Sequence, residues 1–160
     1  MYKIALACDH GGYELKEMIA GFLLGMGHDI FDLGTNSTES VDYPEYGHRC
    51  AMAVVHGDAD LGIVICGTGI GISMAANKVK GARCALCTSV EMAELTRKHN
   101  DANLLALGGR ILTPEQALGI VNAFLYTEFE GGRHQRRVDQ LNSYSKRNGE
   151  RKENGKDICI

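Results

Sequence analysis

The stretch LGIVICGTGIG, Leu61 to Gly71, decides the fold of this chain. Leu61 to Cys66 is an unbroken apolar run of strand length, the kind buried on both faces of a parallel sheet, and helical patterning begins near Ile72. Between the two, Cys66 opens a loop in which Gly67, Gly69 and Gly71 are spaced two apart. Glycine lets the backbone turn sharply and approach a ligand. The first turn of the following helix offers N–H groups without intrahelical partners at the positive end of the dipole, so an anion or a developing oxyanion is stabilised there. A thiol of ordinary pKa, about 8.5, is acidified by such a position. Cys66 therefore reads either as a base or nucleophile, or as a small hydrophobe that closes a strand. Position 72 is Ile where the dinucleotide pattern GxGxxG needs glycine, which argues against a nicotinamide cofactor.

Outward from this stretch, strand and helix patterns alternate. Lys3 to Cys8 is a strand, and Tyr13 to Met26 carries Leu15, Met18, Ile19, Phe22, Leu23 and Met26 at helical spacing. His28 to Leu33 is the second strand, and Pro44 opens a helix reaching about His56. Beyond the glycine loop come a helix from about Ile72 to Val79, strand Arg83 to Thr88, a helix capped by Ser89 reaching about His99, and strand Asn103 to Leu107. Thr113 and Pro114 start a helix ending between Phe124 and Glu128, and Gly131 with Gly132 separates it from a basic helix, Arg133 to about Arg147. This alternation predicts an α/β fold, a doubly wound, Rossmann-like, five-stranded parallel sheet with helices on both faces. Ligands of such sheets bind outside the carboxyl ends of the strands where the strand order reverses. Asp9 and His10, after the first strand, should therefore neighbour Cys66, after the third.

With 160 residues, 44% apolar and 23% charged, the chain suits one domain, 1–147, followed by a polar stretch at 148–160 read as a mobile tail. No run approaches a membrane span, and the N-terminus lacks a signal-peptide layout, so a cytoplasmic protein without membrane partners is expected. The six cysteines lie mostly in apolar runs, as reduced intracellular thiols do. Cys84 and Cys87 form a CxxC, but within a strand residues three apart point to opposite faces, which disfavours a redox or zinc role. Residues 1–132 hold 9 basic and 16 acidic side chains and residues 133–160 hold 8 basic and 4 acidic. A nucleic-acid arm would need aromatic interleaving and a strongly basic total, and neither is present.

The basic helix suits an anionic substrate instead, since Arg133 and Arg137, four apart, share a helical face and guanidinium forks bind phosphate bidentately. A zinc site from Asp9, His10, Cys66 and His99 fits by residue type, but no HExxH or paired CxxC supports a metal.

The runs ACDHGG at 7–12, DYP at 42–44, ICGTGIGISMAANK at 65–78, RKHNDANLLALGGR at 97–110 and EGGRHQRRV at 130–138 together resemble the type B ribose-5-phosphate isomerases, over about residues 3–147. The resemblance implies cofactor-free interconversion of ribose 5-phosphate and ribulose 5-phosphate. It casts Cys66 as the base at C2, His99 with Asp9 as the groups that open the furanose ring, and Thr68 with the amides of Gly67, Gly69, Ile70 and Gly71 as holders of the enediolate oxygens. His10, Arg133 and Arg137 match phosphate ligands, and Asn100 and Arg110 match further binding positions. Related isomerases act on allose 6-phosphate or galactose 6-phosphate, the latter as pairs of unlike subunits that divide the functional residues. This chain keeps Cys66, His99 and both arginines, as a self-sufficient homomer does. A noncatalytic phosphosugar-binding module would not need Cys66, His10 and His99 together. The helix from Ser89 to His99 covers about 16 Å and returns the chain to the amino edge of its sheet. His99 should then serve a partner's site, making the protein a homodimer or dimer of dimers with sites at the subunit interface.

Overall fold

The computed structural model describes residues 1–144. Five strands, β1 (Lys3–Cys8), β2 (Asp29–Asp32), β3 (Leu61–Cys66), β4 (Cys84–Leu86) and β5 (Leu104–Gly108), form one sheet in the order β2-β1-β3-β5-β4. All neighbouring pairs are parallel. The helices are α1 (Tyr13–Gly25), α2 (Tyr43–Val55), α3 (Ile70–Ala76), α4 (Val90–Asn100), α5 (Pro114–Tyr126) and α6 (Arg133–Ser143). This is the predicted doubly wound α/β sandwich.

Side-chain alternation along the strands divides the core in two. Ile4, Leu6, Ile63, Ile65, Leu105 and Leu107 pack with residues of α1, α4 and α5 on one face. Ala5, Ala7, Val64, Cys66, Leu104 and Ala106 pack with α2 and α3 on the other. The small residues of β1 and β5 on this second face let α2 and α3 lie close to the sheet. Ser89 caps α4 by accepting the Met92 N–H, and Thr113 with Gln116 forms a reciprocal capping box on α5.

Three expectations change. Helix α3 starts at Ile70, two residues early, because Gly69 takes a left-handed conformation (φ 79°) at the cap. Edge strand β4 spans only Cys84–Leu86, since it pairs with β5 alone. Met18 in α1 and Met26 at its C-cap are exposed, while Lys16 is fully buried. The remainder of the basic helix, up to Arg147, and the tail 148–160 lie outside the described residues.

Lys16 enters the core because its ammonium reaches the end of β2. Its Nζ donates to both Asp32 carboxylate oxygens at 2.7 Å and to Asn36 Oδ1 at 3.1 Å. Burial opposes the charge, but the hydrogen bonds and charge of Asp32 outweigh it, and the Lys16 pKa is held above its ordinary value. The two partners should respond unequally to mutation. Asp32→Ala leaves the buried ammonium with Asn36 and a longer, 3.4 Å contact to the exposed Glu17 carboxylate, and is expected to cost about 3 kcal/mol. Lys16→Met should cost clearly less, because the Asp32 side chain is 38% exposed and keeps its water. Urea unfolding of both variants checks this, and equal losses would contradict it.

Candidate active site

The strand order reverses between β1 and β3, and the loops leaving their carboxyl ends touch. The Asp9 N–H donates to Ile65 O at 3.2 Å. Buried Asp9 then caps the 3₁₀ turn His10–Gly12, its Oδ1 accepting the Gly11 N–H at 2.9 Å. His10 Nδ1 accepts the Val41 N–H at 3.2 Å, so the ring proton resides on Nε2 as a donor. The loop after β5 closes the third side, with the Gly109 N–H on Cys66 O at 2.8 Å and the Arg110 N–H on Gly67 O at 2.9 Å. A Cβ on Gly109 would lie 2.5 Å from Gly11 O, so these backbones meet only because a glycine is there. The Arg110 guanidinium lies over Gly67, with Nη1 3.2 Å from where a Cβ would be.

Cys66 is buried at the floor of this junction. The loop amides are arranged differently from the sequence expectation of an open nest. The Gly69 N–H donates to Cys66 Sγ at 3.1 Å, and the Ile70 N–H donates to the Thr68 hydroxyl at 3.2 Å. Burial pushes four other thiols up: Cys8 and Cys50 to about 12 and Cys87 to about 11, with Cys84 raised as well. Those side chains remain thiols at neutral pH.

A second group of predicted residues lies at the other edge of the sheet. Arg83, just before β4, donates from Nε to Asn100 O at 3.2 Å and Asp101 O at 3.1 Å, which fixes the end of α4 at the amino edge. His99 and Asn100 are there, whereas Cys66 pairs in register with Gly108 at the far end of β5. The four residue steps from Leu104 to Gly108 span about 13 Å. The Asn100 Oδ1 accepts the Thr96 hydroxyl at 3.1 Å. Helix α6 packs on α4, stacking the His134 ring on His99 with centroids 4.4 Å apart. Arg133 and Arg137 are exposed on the same helix. The His134 pKa is held below the usual histidine value, first by burial and then by the charges of His99 and Arg133.

The described chain thus gathers Asp9, His10, Cys66, Gly67, Thr68, Gly69, Ile70, Gly71 and Arg110 at the carboxyl rim. It holds His99, Asn100, Arg133 and Arg137 together elsewhere. Three neighbours went unassigned in the sequence. Tyr43 covers Gly71 so closely that a Cβ there would meet the ring carbon Cζ at 2.5 Å, and the DYP run was its only signal. His134 and Glu130, four residues apart, flank His99, and their signals were that i,i+4 spacing and their place in the EGGRHQRRV run.

The chain is similar to known proteins along most of its length. Residues 4–141 match the family model described as Ribose/Galactose Isomerase. Ribose-5-phosphate isomerase B of Escherichia coli K12 is 48% identical over 147 residues, covering 92% of this chain and 99% of that protein. A solved structure of Clostridium thermocellum ribose-5-phosphate isomerase B is 54% identical with a TM-score of 0.87, over 88% of this chain and 95% of that one. The Mycoplasma genitalium enzyme, solved with bound ribulose 5-phosphate, is 45% identical with a TM-score of 0.85, over 89% of this chain and 95% of that one.

Proposed function

This chain belongs to the ribose/galactose isomerase family, and we propose on that premise how its residues interconvert D-ribose 5-phosphate and D-ribulose 5-phosphate. The reaction moves a carbonyl from C1 to C2, so one base must take the C2 proton and deliver it to C1 while donors hold the oxygens that gain charge. Cys66 is that base. Its Sγ accepts the Gly69 N–H, and the enediolate oxygens face the Thr68 hydroxyl and the loop amides not already taken by Cys66 Sγ and the Thr68 oxygen. His10, through Nε2, and the forks of Arg133 and Arg137 bind the phosphate, with Arg110 and Asn100 as further ligands. His99, assisted by Asp9, opens the furanose ring. No cofactor or metal takes part in these steps.

The observation that carries the reading is the meeting of Asp9, His10, Cys66 and Arg110 at the β1/β3 junction. The separation of His99 and both arginines from Cys66 supports a homodimer, or a dimer of dimers, in which a second copy completes each site. Ile70, Met74 and Ile111 near the rim are 48%, 61% and 59% exposed, an apolar surface suited to a partner subunit. No helix among the described residues is long and apolar enough to cross a membrane. The five free cysteines among the described residues, four of them buried, suit a cytoplasmic location.

Isomerisation assays with ribose 5-phosphate, allose 6-phosphate and galactose 6-phosphate test the reading. We expect kcat/KM to favour the pentose by about tenfold or more, the usual discrimination from one extra substrate carbon. EDTA should not lower turnover. Turnover confined to a six-carbon sugar would move the assignment within the family, and binding without turnover on any of the three would make the protein a noncatalytic phosphosugar module.

A further inference from the structure

Where α6 meets α4, two imidazoles and a carboxylate converge without a role in the reaction assigned to all three. The His99 and His134 rings stack at 4.4 Å with planes 15° apart, and Glu130 Oε2 lies 3.6 Å from His134 Nε2. One ligand atom from each of the three lies within 4.8 Å of the others. The scaffold around them is fixed. The Glu130 N–H donates to Lys98 O at 3.2 Å, tying the segment before α6 to the last turn of α4, and His134 is buried against that turn.

We propose that His99, Glu130 and His134 form a binding site for a divalent transition metal of the zinc class, whose occupancy withdraws His99 from substrate. Two imidazoles and one carboxylate are a donor set that zinc, cobalt(II) and nickel(II) accept, with water in the open position. Donor atoms around a tetrahedral zinc stand about 3.3 Å apart for bonds of 2.0–2.1 Å. The cluster must therefore contract, and because rings stacked with planes 15° apart cannot both aim an in-plane lone pair at one ion, the half-buried His99 ring must turn out of the stack. The Glu130 side chain, 53% exposed, is free to swing inward. Arg133 and Arg137 are the opposing cations nearby, but both are exposed and screened by solvent. The metal is an inhibitor here rather than a cofactor, because the imidazole it takes is the one assigned to ring opening. That inhibitory half rests on the role given to His99 above; the binding half does not.

The test uses the full chain in two arms. Visible absorption on titration with cobalt(II), with zinc(II) as competitor, reads binding directly. Isomerase rates with added zinc(II), then with excess EDTA, read inhibition. We expect one equivalent of metal per chain with nitrogen and oxygen ligation, and inhibition that EDTA reverses. Glu130→Gln should weaken both binding and inhibition by about tenfold or more. Metal-free turnover of that variant should match wild type, since exposed Glu130 has no part in the reaction. His134→Gln should weaken binding similarly. Unchanged binding in both variants, or a cobalt–thiolate charge-transfer band in place of the weak visible spectrum, would place the metal elsewhere and overturn the site. Stoichiometric binding lost in Glu130→Gln, but without inhibition, would overturn the withdrawal of His99 while leaving the site. A protein without isomerase activity would still report the site through the cobalt arm.

Discussion

Replacing Cys66 by alanine is expected to lower kcat for ribose 5-phosphate by about 10²- to 10⁴-fold, the usual worth of a positioned base, with KM changed only a few-fold. The side chain removed is the only ionisable group that the glycine loop holds at its floor, and it is the acceptor of the Gly69 amide. No neighbouring thiol replaces it. Cys8, on the adjacent strand, is pushed up to about 12 by burial and stays protonated. Phosphate binding falls to His10 and the arginines, which the substitution does not touch, so the loss should appear in kcat. Cys66→Ser should fall nearly as far, because a serine hydroxyl does not ionise near neutral pH. The substitution also removes one sulfur from the α2–α3 face of the core, where Cys66 packs with Val64 and Ile72. Thermal unfolding of both variants therefore accompanies the assay. A folded Cys66→Ala protein within tenfold of wild type would place the base elsewhere.

The fold was legible because apolar runs of strand length alternate with helical spacing, and each boundary carries a local signal. Ser89 and Thr113 accept their expected amides, and Gly69 turns left-handed where a turn was needed. Lys16 was not legible. Its acceptor, Asp32, is 16 residues away on another element, and periodicity reports only that a lysine interrupts the apolar face. Amide occupancy in the glycine loop was hidden for a similar reason. Residue types reveal how many N–H groups a helix start provides, but not that Sγ and the Thr68 hydroxyl take two of them. Of the candidate site, Asp9, His10 and Cys66 could be placed from strand order alone, whereas Arg110 came only from the family resemblance. Tyr43 and His134 could not, because each is brought in by packing between helices or loops that the pattern does not order.

Mixing two inactive variants, Cys66→Ala and His99→Ala, should restore isomerase activity after subunit exchange, to about a quarter of the wild-type specific activity. The figure follows from symmetry. Random reassociation of a two-fold dimer gives half heterodimers, and each heterodimer holds one site with both Cys66 and His99 and one with neither. The geometry behind it is direct. Cys66 closes β3 at the carboxyl rim opposite Gly108, while His99 lies in the last turn of α4, whose end Arg83 holds through Asn100 O and Asp101 O ahead of β5. A strand length of about 13 Å separates those edges, more than a furanose and its proton-transfer contacts bridge. Arg133 and Arg137 share the edge with His99, since α6 packs on α4. A mixture of Cys66→Ala with Arg137→Ala should recover activity for the same reason, whereas His99→Ala mixed with Arg137→Ala should behave differently. Both of those defects lie in the half-site one chain donates, so each heterodimer site lacks one of them. Recovery confined to the pairs that join opposite edges is the signature of a shared site, and no recovery in any pair would mean that one chain closes around its own substrate.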